Sequence, residues 1–144
     1  MFKHENLFEK KNMKKNKITI EYELNCSSEK VVWPLISTAA GMAKWIADEV
    51  NADGDTLTFT WGEVWSNHEV RCAVITEIKN NISIRLRWEN EADTDEYWEM
   101  KIEKGDITDD FTLVITDYAY PEDLDSLKDI WDANFERLHA FAGI

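Results

Sequence analysis

The sequence predicts an α+β fold in which a curved antiparallel sheet wraps one long C-terminal helix. Three observations predict it: a long central run of alternating strands, two short apolar helical segments after the first strand, and one amphipathic helix over residues 124–141. In that last helix Leu127, Trp131, Asn134, Phe135, Leu138, Phe141 and Ala142 recur at helical spacing, so most of one face is apolar and wide enough to fill a curved sheet. A curved sheet closed by a helix is a container. The pattern therefore speaks to shape and to function class, and names neither a ligand nor a reaction.

The first dozen residues are charged and lack the alternation that begins at Ile18, and Met13 offers a second start just before the first strand. Residues 1–16 are expected to form a frayed N-terminal extension and residues 17–144 the domain. The functional alternative for the extension is a basic arm or interaction helix using Phe2, Leu7 and Phe8. Over residues 17–24, Ile18, Ile20, Tyr22 and Leu24 alternate with Thr19, Glu21 and Glu23, the pattern of a half-buried strand. The period then changes. The hydroxyl of Ser27 or Ser28 is expected to cap a helix carrying Val31, Val32, Trp33 and Ile36, and Pro34 is expected to limit or bend it after about one turn. A second apolar turn, Gly41 to Ile46, should fold back on the first and bring Trp45 near the sheet.

From Val50 onward strand signals dominate. Asp53-Gly54 suits a tight hairpin turn needing positive φ. Strands are expected around Leu57, Phe59 and Trp61, then over residues 69–78, 82–88, 96–103 and 111–118, with turns short enough for antiparallel neighbours. Ile82, Ile84, Leu86 and Trp88 alternate with Ser83, Arg85 and Arg87, giving one apolar and one cationic face. Trp98, Met100 and Ile102 repeat the design, which lets Arg85 and Arg87 pair with Glu99 across strands. Pro121 ends the last strand, and Glu122, Asp123 and Asp125 can cap the terminal helix and complement its dipole.

Composition bounds the function. A chain of 144 residues is the usual size of one domain and buries roughly two-thirds of its unfolded surface. The 44% hydrophobic content, with seven Trp, supplies that core and excludes wholesale disorder. A net charge of -13 repels phosphate backbones and anionic lipid surfaces, so no nucleic-acid partner is expected; the one basic cluster is Lys10, Lys11, Lys14, Lys15 and Lys17. Cys26 and Cys72 match no metal-ligand spacing and no disulfide framework, so they read as small core residues of a protein in a reducing cytoplasm. No apolar run approaches the roughly 20 residues of a membrane span, and residues 1–17 lack the apolar core of a secretory signal. A cytoplasmic protein with no membrane span and no cofactor is expected.

Several stretches, in combination and order, carry a family likeness. Glu29-Lys30-Val31-Val32-Trp33-Pro34-Leu35-Ile36, Gly41-Met42-Ala43-Lys44-Trp45, Ile75-Thr76-Glu77-Ile78, and Ile130-Trp131 followed by Phe135, Glu136, Arg137 and Leu138 are packing signatures rather than catalytic motifs. Through them residues 17–144 resemble the START-like superfamily (SRPBCC, the helix-grip fold of birch-pollen-allergen-like proteins), and within it the branch similar to activators of heat-shock-protein ATPase. The resemblance implies seven antiparallel strands around the last helix, a cavity between them, and a lipid-like or aromatic ligand. Tyr118-Ala119-Tyr120-Pro121 stands where many relatives have a Gly-containing loop, and the hairpin over residues 89–96 is unusually acidic. Both are expected to rim the cavity mouth.

The indoles Trp33, Trp45, Trp61, Trp65, Trp88, Trp98 and Trp131 either pack the core, the commoner use, or line a pocket. Trp61 and Trp88 are the best pocket candidates because they sit at strand ends. The candidate ligand-binding residues are Trp45, Phe59, Trp61, Trp88, Trp98, Met100, Ile115, Trp131, Phe135 and Leu138. His4, His68 and His139 are too scattered for a sequence-local metal site, and Ser27 and Ser28 lack the Gly-x-Ser-x-Gly elbow of a nucleophile. The carboxylates Glu89, Glu91, Asp93, Asp95 and Glu96 lack the calcium-loop spacing and read as a solvated hairpin. Strand parity places Glu99 on the wet face, while Glu77, just before a turn, could be redirected by a bulge. The leading expectation is a non-enzymatic module holding a small hydrophobic or aromatic ligand. The alternatives are a protein-interaction or co-chaperone-like domain, a homodimer built on an exposed aromatic such as Trp65, and a same-fold enzyme needing polar groups that converge inside the pocket.

Overall fold

The computed structural model describes residues 14–63, 65–91 and 94–144. Phe2, His4, Leu7, Phe8, Lys10 and Lys11 of the extension and Asp93 of the acidic hairpin lie outside the described residues. Seven strands form one antiparallel sheet: β1 (Asn16–Glu23), β2 (Glu49–Asp53), β3 (Thr56–Trp61), β4 (Glu69–Lys79), β5 (Ser83–Trp88), β6 (Trp98–Lys104) and β7 (Phe111–Ala119). The order β1-β7-β6-β5-β4-β3-β2 is a meander whose first strand returns to pair with the last. Helices α1 (Glu29–Ser37) and α2 (Ala39–Met42) carry the chain from one sheet edge to the other, and α3 (Leu124–Ala142) packs along the sheet.

Register explains the core. Ile20 pairs with Ile115, Ile115 with Met100 and Met100 with Ile84, so one apolar row crosses four strands on a single face. Three of those side chains are fully inaccessible, and Trp131 and Leu138 close the row from the helix. On the opposite face Arg85 lies across from Glu99 and donates to its Oε2 from Nε at 3.0 Å and Nη2 at 2.9 Å, while the guanidinium stacks 3.9 Å over Tyr97. Arg87 does not join that pair; its Nε donates to the carbonyl of Glu96 instead. A register shift between Ile75 and Glu77 brings Glu77 opposite Arg85, where it also meets Lys79 at 3.8 Å. The turn between β2 and β3 needs Gly54, whose φ is 61°.

Local rules failed at several points. Ser28 is the N-terminal cap position of α1, but neither its hydroxyl nor that of Ser27 makes a cap bond; Cys26 Sγ accepts the Ser28 N–H at 3.5 Å. The helix also passes through Pro34 and runs nine residues. The proline costs about 3 kcal/mol, whereas burying Val32, Leu35 and Ile36 contributes about 1.5–3 kcal/mol each, so packing outweighs the lost bond. The helix ends where Ser37 and Thr38 hydroxyls donate to the carbonyls of Trp33 and Pro34. At α3, Asp123 occupies the cap position without a side-chain cap bond, and Phe141 is 57% exposed instead of buried, with Lys44 over its ring. Cys26 and Cys72 are half-buried rather than in the core. Ile82 lies in the turn before β5, half exposed, and β6 begins at Trp98, two residues later than alternation predicts.

Tyr22 fastens the helix flank to β1. Its ring stacks on Phe135 at 4.4 Å, and its hydroxyl donates to Asp132 at 2.7 Å. Burial, and then the Asp132 carboxylate, push that hydroxyl well above the usual tyrosine range.

Candidate functional site

A half-open cavity of about 810 Å³ lies between the N-terminal half of α3 and one end of the sheet. Antiparallel order brings together the ends of β3, β5 and β7 with the starts of β4 and β6, so Trp61, Trp88, Asp117, Arg71 and Trp98 share this end. The helix contributes Ser126, Leu127, Ile130, Trp131 and Asn134, a stripe at helical spacing. The size is within the range of small-molecule sites.

Four indoles form the apolar wall. Trp88 and Trp98 stack at 5.2 Å, Trp61 meets Trp88 at 6.3 Å, and Trp98 meets Trp131 at 5.9 Å. Phe59 backs three of them, with ring centroids 5.4 Å from Trp88, 5.7 Å from Trp98 and 6.0 Å from Trp61. The indole donors are then decisive. Trp61 Nε1 donates to the carbonyl of Ile46 at 2.8 Å, and Trp131 Nε1 donates to Asp117 Oδ2 at 2.9 Å. Trp98 Nε1 is buried with no hydrogen-bond partner among the described residues. Arg71 lies with its guanidinium carbon 3.9 Å over the Trp88 ring, and no carboxylate of the described residues is within ion-pair distance of it. Asn134, nearly buried, adds an amide.

Only part of the candidate set meets at this cavity. Trp61, Trp88, Trp98 and Trp131 line it. Trp45, Phe59, Met100, Ile115 and Leu138 are sealed in the core behind or beyond it, and Phe135 is half-buried against Tyr22. Tyr118, Ala119 and Tyr120 line the cavity together with Asn90 at the start of the acidic hairpin. Burial, then a hydrogen bond with Tyr97, raises the Tyr118 hydroxyl above its ordinary range. Sequence reasoning passed over Arg71 and Asp117 and read Leu127 and Ile46 as packing residues only. Arg71 had a signal: it shares strand parity with Ala73, which is buried, so a cation near the strand start points to the helix side.

Among the described residues no group of three His, Cys, Asp or Glu side chains is placed to hold a metal ion. None of their helices is long and apolar enough to cross a membrane.

The model of a family described as a START-like superfamily domain matches residues 12–144. The chain belongs to the START-like superfamily. Among solved structures, the START-like domain is similar to BfR322 from Bacteroides fragilis, at 37% identity over 90% of this chain and 92% of that one, with a TM-score of 0.61. It shares its fold with the Aha1 dimer from Colwellia psychrerythraea, at 14% identity over 88% of this chain and 96% of that one, TM-score 0.69. It likewise shares it with the AHSA1-like protein from Aeromonas hydrophila, at 12% identity over 87% and 93%, TM-score 0.67. No curated protein matches the chain.

The unpartnered donor of this START-like domain makes a measurable difference between two indoles. Trp45 Nε1 donates to the carbonyl of Leu35 at 2.9 Å, so Trp45→Phe leaves a buried acceptor unpaired. Trp98→Phe removes a donor that has no partner. In ligand-free protein, urea denaturation is expected to show Trp45→Phe losing about 1–3 kcal/mol more than Trp98→Phe. Equal losses would mean that the Trp98 donor is already satisfied.

Proposed function

We propose that this START-like domain is a binding module that takes a small hydrophobic or aromatic molecule into the cavity between α3 and the sheet end. The observation that carries the reading is the half-open cavity of about 810 Å³, whose wall is built from the indoles Trp61, Trp88, Trp98 and Trp131. Indole rings cover the apolar body of a bound molecule, and the cavity's size suits a small-molecule site. Asp117 and the Ile46 carbonyl are engaged in holding indoles in place, which favours binding over catalysis.

Protein recovered from its own host is expected to show, in native against denaturing mass spectra, a stoichiometric mass lost on unfolding. Ligand-free protein that also binds no member of a broad lipid and aromatic library overturns the reading. Trp65, 83% exposed, favours a second one, in which that face docks on a protein partner or a second copy of the chain, as in a co-chaperone-like domain. Under it, Trp65→Ser abolishes the association seen by sedimentation and leaves cavity binding intact.

A further inference from the structure

Resting on that reading, we infer that the molecule held in the cavity is an aromatic carboxylate whose anionic group is bound by Arg71. Two stacked arginines in the fold make the case. On the outer face Arg85 lies 3.9 Å over the Tyr97 ring and donates twice to Glu99 Oε2. On the cavity side Arg71 lies 3.9 Å over the Trp88 ring in the same manner, but no carboxylate of the described residues lies within ion-pair distance of it. The second arrangement is the first with its acid missing. A guanidinium held flat on an indole has its donors pre-oriented, and a carboxylate is the anion whose two oxygens match that fork.

The other charges at the cavity are already committed or wet. Asp117 accepts from Trp131 Nε1 through one oxygen and from the Tyr118 N–H through the other. Lys15 is paired with Glu96 at 3.5 Å and lies over Tyr120. Asp123 has an interaction of its own. Glu69 is exposed at the rim, where water screens it, whereas Arg71 is half-buried and its field is correspondingly less screened. The net charge of -13 selects further. It opposes a phosphate or another multiply charged anion more than it opposes a single carboxylate. The body of the ligand is set by its neighbours: Trp61, Trp88 and Leu127, each half-buried at the cavity, offer apolar surface suited to an arene.

The test uses two matched probes, 2-naphthoate and 2-naphthamide, titrated calorimetrically into the whole protein and into Arg71→Gln. The wild type is expected to bind the carboxylate about tenfold or more tightly than the amide, in line with a charge-assisted pair. Arg71→Gln is expected to bring the two within about twofold, chiefly through loss of carboxylate affinity, and its far-UV circular dichroism and thermal midpoint show separately that the variant is folded. Without any variant, raising salt from about 50 to 500 mM should weaken the carboxylate and leave the amide alone. Equal or tighter binding of the amide by the wild type overturns the carboxylate inference and leaves the cavity reading standing. A carboxylate preference that survives in Arg71→Gln overturns Arg71 as its holder. Failure of both probes to bind at millimolar concentration overturns the aromatic-carboxylate inference, while the cavity reading is decided by the native mass spectra and the ligand library.

Discussion

Truncating Phe59 to alanine is expected to lower stability by about 3–5 kcal/mol, the range for removing a fully buried phenyl ring. Phe59 is inaccessible to solvent, and its ring touches Trp61, Trp88 and Trp98. Its strand neighbours hold the backbone on both sides, Val50 on β2 and Arg71 on β4, so the sheet does not collapse into the vacated volume. Two terms add: the lost apolar burial, and the lost edge contacts to Trp88 and Trp98, at about 0.5–1.5 kcal/mol each. The thermal midpoint should fall by about 10–15 °C for a domain near this size. Urea unfolding should show a lower midpoint at unchanged slope, and Phe59→Leu should lose much less because it keeps most of the volume. The near-UV circular dichroism should weaken as well, since the indoles whose backing is removed are the coupled ones. A loss under about 1 kcal/mol would show that the aromatic cluster repacks freely and is no rigid wall.

How much of this was legible in the sequence depended on how local each cause was. Period-2 alternation in β5 and β6 put Leu86 and Trp98 inward and made Arg85 and Glu99 partners, because strand parity follows from backbone geometry alone. The stripe of α3 was legible for the same reason, from Leu127 to Leu138. The cavity's place along that helix was not. It depends on which end of the sheet supplies enough side-chain volume: Met100, Ile115 and Leu138 fill the space near the middle, whereas Ser126 and Asn134 leave room at the N-terminal half. That comparison joins residues far apart in the chain, so Phe135 and Leu138 read as pocket residues when one is stacked on Tyr22 and the other sealed. Pro34 misled in the opposite direction. A sound local rule was overridden by the burial of Leu35 and Ile36 just beyond it.

Gly41→Ala is expected to destabilise the protein by about 3 kcal/mol or more, at the severe end for so small a change. A Cβ built on Gly41 overlaps the carbonyl oxygen of Pro34 outright and lies 2.7 Å from Leu35 Cα and 2.8 Å from the Pro34 carbonyl carbon. The obstacle is backbone, with no flexible side chain to swing away. Neither partner can retreat cheaply. The Pro34 carbonyl accepts from Thr38 Oγ1 at 2.7 Å, and the same Oγ1 accepts the Gly41 N–H at 2.9 Å, so one hydroxyl ties both chains at the point of contact. Moving α2 outward would also carry away Trp45, whose Nε1 is bound to the Leu35 carbonyl and whose ring reaches Trp131 at 6.0 Å. Helix propensity favours alanine over glycine by about 1 kcal/mol, so a measured stabilisation would sink the steric argument. A loss of about 3 kcal/mol with a drop in the thermal midpoint near 10 °C supports it. Because Trp131 links α2 to the indole wall, the variant should also weaken uptake of an aromatic probe at temperatures where it is still folded, and Thr38→Val, which removes the tie without adding a Cβ, should do so less.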